Sequence, residues 1–96
     1  MRKISVARRT ETDQSGQPYS FEYCLLAEEA EAGGAAIGES YGVQVTSFSE
    51  GTVQDTRSIP NLTVSAQRIH ELMDLLVRNC VTPVSLDGVV EDWLAL

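Results

Sequence analysis

The stretch YSFEYCLL, residues 19–26, decides the fold class. Its large apolar residues recur at every second position, and this alternation predicts a half-buried β-strand. The residues that share this apolar face are Tyr19, Phe21, Tyr23 and Leu25. The opposite face begins with polar residues and becomes apolar at Cys24 and Leu26, so we expect Cys24 to lie in the drier half of the strand.

Three other stretches are predicted to pair with this strand. Residues 3–9 alternate between aliphatic and polar or basic side chains, which favours a short basic strand. Residues 41–48 alternate in the same way, and residues 53–59 return after a turn in which Gly51 can adopt a positive φ. The last two stretches therefore form a predicted β-hairpin.

Residues 28–40 are rich in Glu, Ala and Gly, and they differ in composition from the rest of the chain. Residues 28–32 have good helix propensity and could form one helical turn before Gly33 and Gly34 end it. An isolated helix this short is marginal. We therefore expect an acidic Gly/Ala-rich loop over about residues 28–40.

The C-terminal third predicts two helices. Thr63 is the expected N-cap of the first helix, and its apolar stripe has spacings of three and four: Leu62, Ala66, Ile69, Leu72, Met73, Leu76 and Cys80. Pro83 should stop this helix, and Ser85 should begin a second one, with Val84 and Val89 forming a hydrophobic staple. The apolar face of the second helix comprises Leu86, Val89, Val90, Trp93 and Leu94, and Asp87 suits its positive N-terminal end.

Strands that precede helices favour an α+β fold over an alternating parallel one. We predict a single domain over residues 1–96, in which a four-stranded antiparallel sheet is followed by two C-terminal helices packed on one face, in the order ββββαα. Ninety-six residues form one core and leave little material for an elaborate catalytic pocket.

The charge balance disfavours nucleic acid and membrane surfaces as partners. Fourteen Asp and Glu against seven Lys and Arg give a net charge of −7, which repels phosphate groups. Four of the seven bases lie in the first nine residues, where they either protect a strand edge, the interpretation that we favour, or form a small anion-binding arm. The start lacks the apolar core of a signal peptide, and no apolar run approaches ~20 residues, so we expect a cytoplasmic protein.

The reactive side chains do not form a recognisable site. His70 is the only histidine, and Asp74 lies four residues after it, which indicates a boundary histidine with a carboxylate neighbour. Cys24 and Cys80 lack the paired spacing of zinc ligands, and the glycines do not form a phosphate-binding motif. We predict no catalytic residue, metal or cofactor. The alternative is a small ligand-binding protein or enzyme that uses Cys24 and His70 between sheet and helix.

The terminal segment VVEDWLAL, residues 89–96, is the candidate partner-binding site. One interpretation places Trp93 in the core, packed on the first helix. In the other, Trp93 joins an exposed apolar patch that docks in a partner's groove, because aromatic anchors are common at interfaces. The residues of this candidate site are Glu91, Asp92, Trp93, Leu94 and Leu96.

Four motifs carry a resemblance to a known family: Tyr41-Gly42-Val43, Leu62-Thr63, Pro83-Val84-Ser85-Leu86 and Val89-Val90-Glu91-Asp92-Trp93-Leu94. With these motifs the chain resembles, over roughly residues 41–96, an uncharacterised domain-of-unknown-function family of small proteins from Gram-positive anaerobes. The resemblance implies a bacterial cytoplasmic protein, and it brings no activity, ligand or catalytic residue with it.

The leading hypothesis is a small acidic protein-protein interaction or regulatory module without catalytic activity. Its acidic C-terminal helix predicts a partner with a basic-rimmed groove. Self-association is the other option for a partner, because an uncovered sheet face or an edge strand can form a symmetric homodimer.

Overall fold

The fold is known from a computed structural model that describes all residues, Met1–Leu96. An antiparallel sheet with the strand order β1-β2-β3-β4 precedes two helices, so the predicted α+β architecture is confirmed. The strands are longer than the alternation predicts. The elements are β1 (Arg2–Thr12), β2 (Pro18–Ala32), β3 (Ala35–Ser49), β4 (Thr52–Thr63), α1 (Ala66–Arg78) and α2 (Leu86–Leu94).

The core lies between one face of the sheet and the two helices. The predicted alternation of β2 is confirmed, because Phe21, Tyr23 and Leu25 are buried on the face that packs against the helices. In the register, Tyr23 lies opposite Val45 and Leu25 lies opposite Val43. The remaining core residues are Ile69, Leu72, Met73, Leu76, Val81, Leu86, Val90 and Trp93.

The expected acidic loop over residues 28–40 is wrong, because these residues form paired strands. β2 and β3 continue to Ala32 and Ala35, and Gly33 and Gly34 make the two-residue turn with φ values of 61° and 82°. Positive φ at both positions suits the twist of a tight hairpin. Most side chains of this segment are exposed. Because neither face of the hairpin is buried, apolar and polar residues need not alternate there, and the sequence lacks the usual signal of a strand. The hairpin contributes to a molecule 54 Å long.

Helix α1 begins two residues later than predicted. Its N-cap is Ser65, whose hydroxyl accepts a hydrogen bond from the backbone N–H of Arg68 at 3.2 Å. Thr63 is instead the last residue of β4, and its hydroxyl accepts from the N–H of Ser65 at 3.1 Å. The central part of the predicted stripe is confirmed by the buried residues Ile69, Leu72, Met73 and Leu76. Cys80, at the end of the predicted stripe, lies beyond the helix.

Helix α2 follows Ser85, but the predicted hydrophobic staple is wrong because Val84 is 86% exposed. The hydroxyl of Ser85 accepts a hydrogen bond from the N–H of Thr82, so it helps to form the turn before the helix. Asp87 occupies the first turn as predicted and accepts two hydrogen bonds from Arg57 of β4, at 2.8 and 3.0 Å. This pair fixes the start of α2 to the sheet.

Strand β1 is an edge of the sheet and carries the basic residues, as the edge-strand interpretation predicts. Arg2 pairs with Glu39 of β3, and Arg9 pairs with Glu11 at 3.3 Å. The β1–β2 register shifts between Ser5 and Ala7. A bulge and exposed charges both discourage pairing with another strand.

The conformation of β4 depends on Gly42. The β3–β4 register shifts beside this residue, and the backbone of Ile59 and Pro60 lies where its Cβ would be.

We expect Gly42→Ala to lower the free energy of unfolding by about 1–3 kcal/mol, because backbone atoms cannot rotate away from the added methyl group. Gly88→Ala in α2 is the matched control, since open space surrounds that position. The control should be neutral or stabilise by up to about 1 kcal/mol. Urea unfolding followed by circular dichroism measures both, and equal stabilities would contradict the role of Gly42.

Candidate functional site

The candidate site is a groove of about 480 Å³ between the end of α1, the α1–α2 connection and α2. Six of its nine lining residues are hydrophobic. The volume falls within the range of roughly 300–1,000 Å³ that is typical of ligand sites. The lining residues are Leu75, Asn79, Cys80, Val81, Ser85, Val89, Asp92, Trp93 and Leu96.

The turn that ends α1 forms one wall of the groove. Cys80 has a φ of 50°, and the backbone N–H groups of Cys80 and Val81 donate to the carbonyls of Val77 and Leu76. This is the Schellman arrangement, which usually has glycine where Cys80 stands. Helix α1 therefore ends at Arg78, five residues before Pro83, which the sequence predicts as its stop. The turn that ends the helix positions Cys80 and Val81 along the groove.

Side chains from β1 and β2 hold this helix end. The Tyr23 hydroxyl donates to the carbonyl of Val81 at 2.9 Å, and Arg9 donates to the carbonyl of Val77 at 3.0 Å. The Cys80 thiol donates to a carboxylate oxygen of Glu11 at 3.4 Å, and Arg9 pairs with that same oxygen. A cation at the C-terminus of a helix satisfies free carbonyls and opposes the negative end of the helix dipole. The groove wall is thereby attached to the sheet.

The raised pKa values of Tyr23, Cys24 and Cys80 favour the neutral forms of these side chains. Burial raises the pKa of Tyr23 to about 12, and the nearby Cys80 adds to this increase. Burial is also the main cause that raises the pKa of both thiols, with a further contribution from Glu11 at Cys80 and from Glu22 at Cys24. Thiols with a raised pKa are poor nucleophiles near neutral pH, because the thiolate is the reactive form.

The structure does not bring Cys24 and His70 together. Cys24 lies on β2 next to Tyr23, and neighbouring residues of a strand point to opposite faces of the sheet. Tyr23 points toward the helices, so Cys24 points away from them, whereas His70 is exposed on α1. The pocket between sheet and helix that the enzyme alternative requires is not formed by these two residues.

The predicted partner-binding residues divide into two sets. Trp93 is 6% exposed and packs in the core, and the guanidinium carbon of Arg68 lies 4.5 Å from the centre of its ring. Asp92, Trp93 and Leu96 line the groove, whereas Glu91 and Leu94 do not. Since successive residues of a helix point about 100° apart, Glu91 and Asp92 face different surroundings.

A second, smaller concavity of about 330 Å³ lies where β1 meets the β2–β3 hairpin. Four of its six lining residues are charged, and the six are Met1, Arg2, Ala27, Glu28, Glu29 and Glu39. The ion pair between Arg2 and Glu39 lies within it. The sequence predicts neither concavity, because each depends on how separate elements come together.

A family model described as a family of unknown function (DUF6514) matches residues 2–96. The chain belongs to this family. The match confirms the resemblance and corrects its extent, since it includes the first 40 residues as well as residues 41–96. Comparisons with curated proteins and with solved structures gave no significant match.

None of the helices in this chain has both the length and the apolar character needed to cross a membrane. No group of three or more His, Cys, Asp or Glu side chains is arranged to hold a metal ion.

The Tyr23 hydrogen bond should make stability sensitive to alkaline pH. The ordinary pKa of 10.0 is raised to about 12 in the fold, so the contribution of the neutral phenol is complete below pH 10 and is lost as the pH rises to about 12. Tyr23→Phe should lower the free energy of unfolding by about 1–2 kcal/mol at pH 7, because the Val81 carbonyl loses its donor.

The difference in the free energy of unfolding between the wild type and Tyr23→Phe should shrink as the pH rises from 10 to 12. Denaturant unfolding of both proteins across this range measures the difference. Tyr19→Phe is the control, because Tyr19 is only partly buried and its hydroxyl makes no hydrogen bond. A constant difference between Tyr23→Phe and the wild type up to pH 12 would contradict the role of the hydroxyl proton.

Proposed function

We propose that the chain is a protein-protein interaction or regulatory module without catalytic activity, and that it binds its partner through the surface formed by α2 and the groove beside it. The observation that carries this proposal is the apolar groove, which lies next to side chains that remain exposed at the C-terminal end of the chain. Leu94 is 50% exposed and Leu96 is 95% exposed. Apolar surface bordered by polar groups is typical of interaction sites.

Charge supports the same surface. Glu91 and Asp92 are both exposed, and neither carboxylate takes part in an ion pair within the chain. Unpaired carboxylates beside apolar surface attract a partner of opposite charge and guide its approach. A protein surface rich in Lys or Arg suits this site. The net charge of −7 makes nucleic acid an unfavourable partner.

The environment of the two thiols also fits a module without catalysis. Their raised pKa values disfavour the thiolate, and Cys24 is separated from His70 by the sheet. Both cysteines are free, which suits a reducing compartment and supports the cytoplasm as part of the proposal.

Double charge reversal tests the proposal. We expect the double variant Glu91→Lys/Asp92→Lys to lose capture of the partner from a native lysate, because its reversed charges repel a basic surface. The matched control is Glu29→Lys, Glu31→Lys, which makes the same change in net charge on the exposed β2–β3 hairpin. Circular dichroism and urea unfolding should first show that both variants fold.

Quantitative mass spectrometry of the captured proteins decides the outcome. A protein retained by the wild type and by the hairpin variant, but lost with the α2 variant, supports the proposal. Equal retention by all three proteins would place the binding surface elsewhere. If the wild type captures nothing and light scattering shows a dimer at micromolar concentration, self-association replaces the proposed function.

A further inference from the structure

We propose that the groove receives a short basic amphipathic segment of a partner protein, which inserts one or two apolar side chains and pairs an Arg or Lys, about one helical turn away, with Asp92. This inference rests on the proposed function and names the chemistry of the partner. It also gives Trp93 a different role from the docking interpretation of the sequence, in which Trp93 inserts into a groove of the partner. Because Trp93 is 6% exposed, it forms part of a receiving wall and does not insert into a groove of the partner.

The apolar part of the groove determines what is inserted. Leu75 of α1, Val81 of the connection, and Val89 and Trp93 of α2 surround the space of about 480 Å³. The apolar side chains of a helix recur at spacings of three, four and seven residues, and such helices commonly bind in hydrophobic grooves. A segment with aromatic or aliphatic anchors one turn apart matches this space.

Asp92 determines the charge of the segment. Its side chain is the only carboxylate side chain that lines the groove, no Lys or Arg lines it, and Asp92 makes no ion pair within the chain. Asp92 also lies in the last turn of α2, which carries no basic residue. A carboxylate at this end of a helix is unfavourable because the dipole is negative there. A cation of the partner would offset that cost, and Arg can pair with the carboxylate through two hydrogen bonds.

The same charges disfavour a second copy of the chain as the occupant. Docking α2 of one copy in the groove of another would bring Glu91 and Asp92 of the incoming helix close to Asp92 of the receiving one. Like charges brought together at an interface are repulsive. Two copies would also each carry a net charge of −7.

Selection from a displayed library of random helical peptides on the immobilised full chain tests the inference. We expect enriched peptides to share an aromatic or aliphatic anchor with an Arg or Lys three or four residues away. Fluorescence anisotropy of the best labelled peptide should then show affinity at least tenfold weaker for Asp92→Lys and less than twofold weaker for Glu31→Lys. The two variants make the same charge change, but Asp92 lines the groove, whereas Glu31 is exposed on the β2–β3 hairpin.

Cys80 provides a second measurement that does not depend on charge reversal. Cys80 lines the groove and is partly exposed, whereas Cys24 is 1% exposed. Bound peptide should slow the labelling of Cys80 by a maleimide at least fivefold, and a peptide with citrulline in place of Arg should protect it less. Mass spectrometry assigns the label to one cysteine or the other.

Each outcome decides the inference. Enriched peptides without basic residues, equal losses for the two variants, or an unprotected Cys80 would overturn it, and so would the absence of enrichment. Enrichment of peptides that do not protect Cys80 would indicate binding elsewhere. If lysate capture still depends on α2 in any of these cases, the proposed function stands and only the nature of the occupant is wrong. If the wild type and the α2 variant also capture the same proteins from the lysate, both the inference and the proposed function are wrong.

Discussion

The hydrogen bond from the Tyr23 hydroxyl to the Val81 carbonyl links the two halves of the molecule. Tyr23 lies on a central strand and has no exposed surface, and Val81 lies in the connection between the two helices. An unpaired buried carbonyl is costly, so the polar tip of this aromatic residue determines where the connection can lie. The groove forms beside that connection. Its shape is therefore a consequence of packing in the core.

The end of α1 combines a local cost with distant support. Cys80 adopts a positive φ that is unfavourable for a residue with a Cβ, although the turn satisfies carbonyls that the helix leaves free. Arg9, which is 68 residues from Val77 in the sequence, donates to the same helix end. This contact supports the end of α1, while the packing of Leu86 and Val90 and the pair between Arg57 and Asp87 hold α2 itself.

The sequence predicts the element order because the helix-covered part of the sheet imposes a two-residue period. That period is visible at Phe21, Tyr23 and Leu25, which contact the helices. It is missing from the exposed hairpin, where the adjacent Gly33 and Gly34 were the better guide and the Glu and Ala composition was misleading. The end of α1 had no such guide, because Cys80 stands where glycine is usual. The groove cannot be predicted from the sequence, since its residues come from separate elements, and the sequence indicates only the part that α2 contributes.

The binding that we propose at α2 is coupled to folding. An isolated helix of nine residues is marginal in water, so α2 depends on the packing of Leu86, Val90 and Trp93 and on the pair between Arg57 and Asp87. The groove exists only while α2 is docked, because Val89, Asp92 and Trp93 form one side of it. A partner that binds the docked helix therefore stabilises the fold, by about 2.7 kcal/mol when its free concentration is 100 times Kd. Carboxylates at the end of α2 weaken the helix locally, and in the proposed function the same carboxylates attract a basic partner. Under that proposal, binding increases the order of α2 without requiring any movement of the sheet.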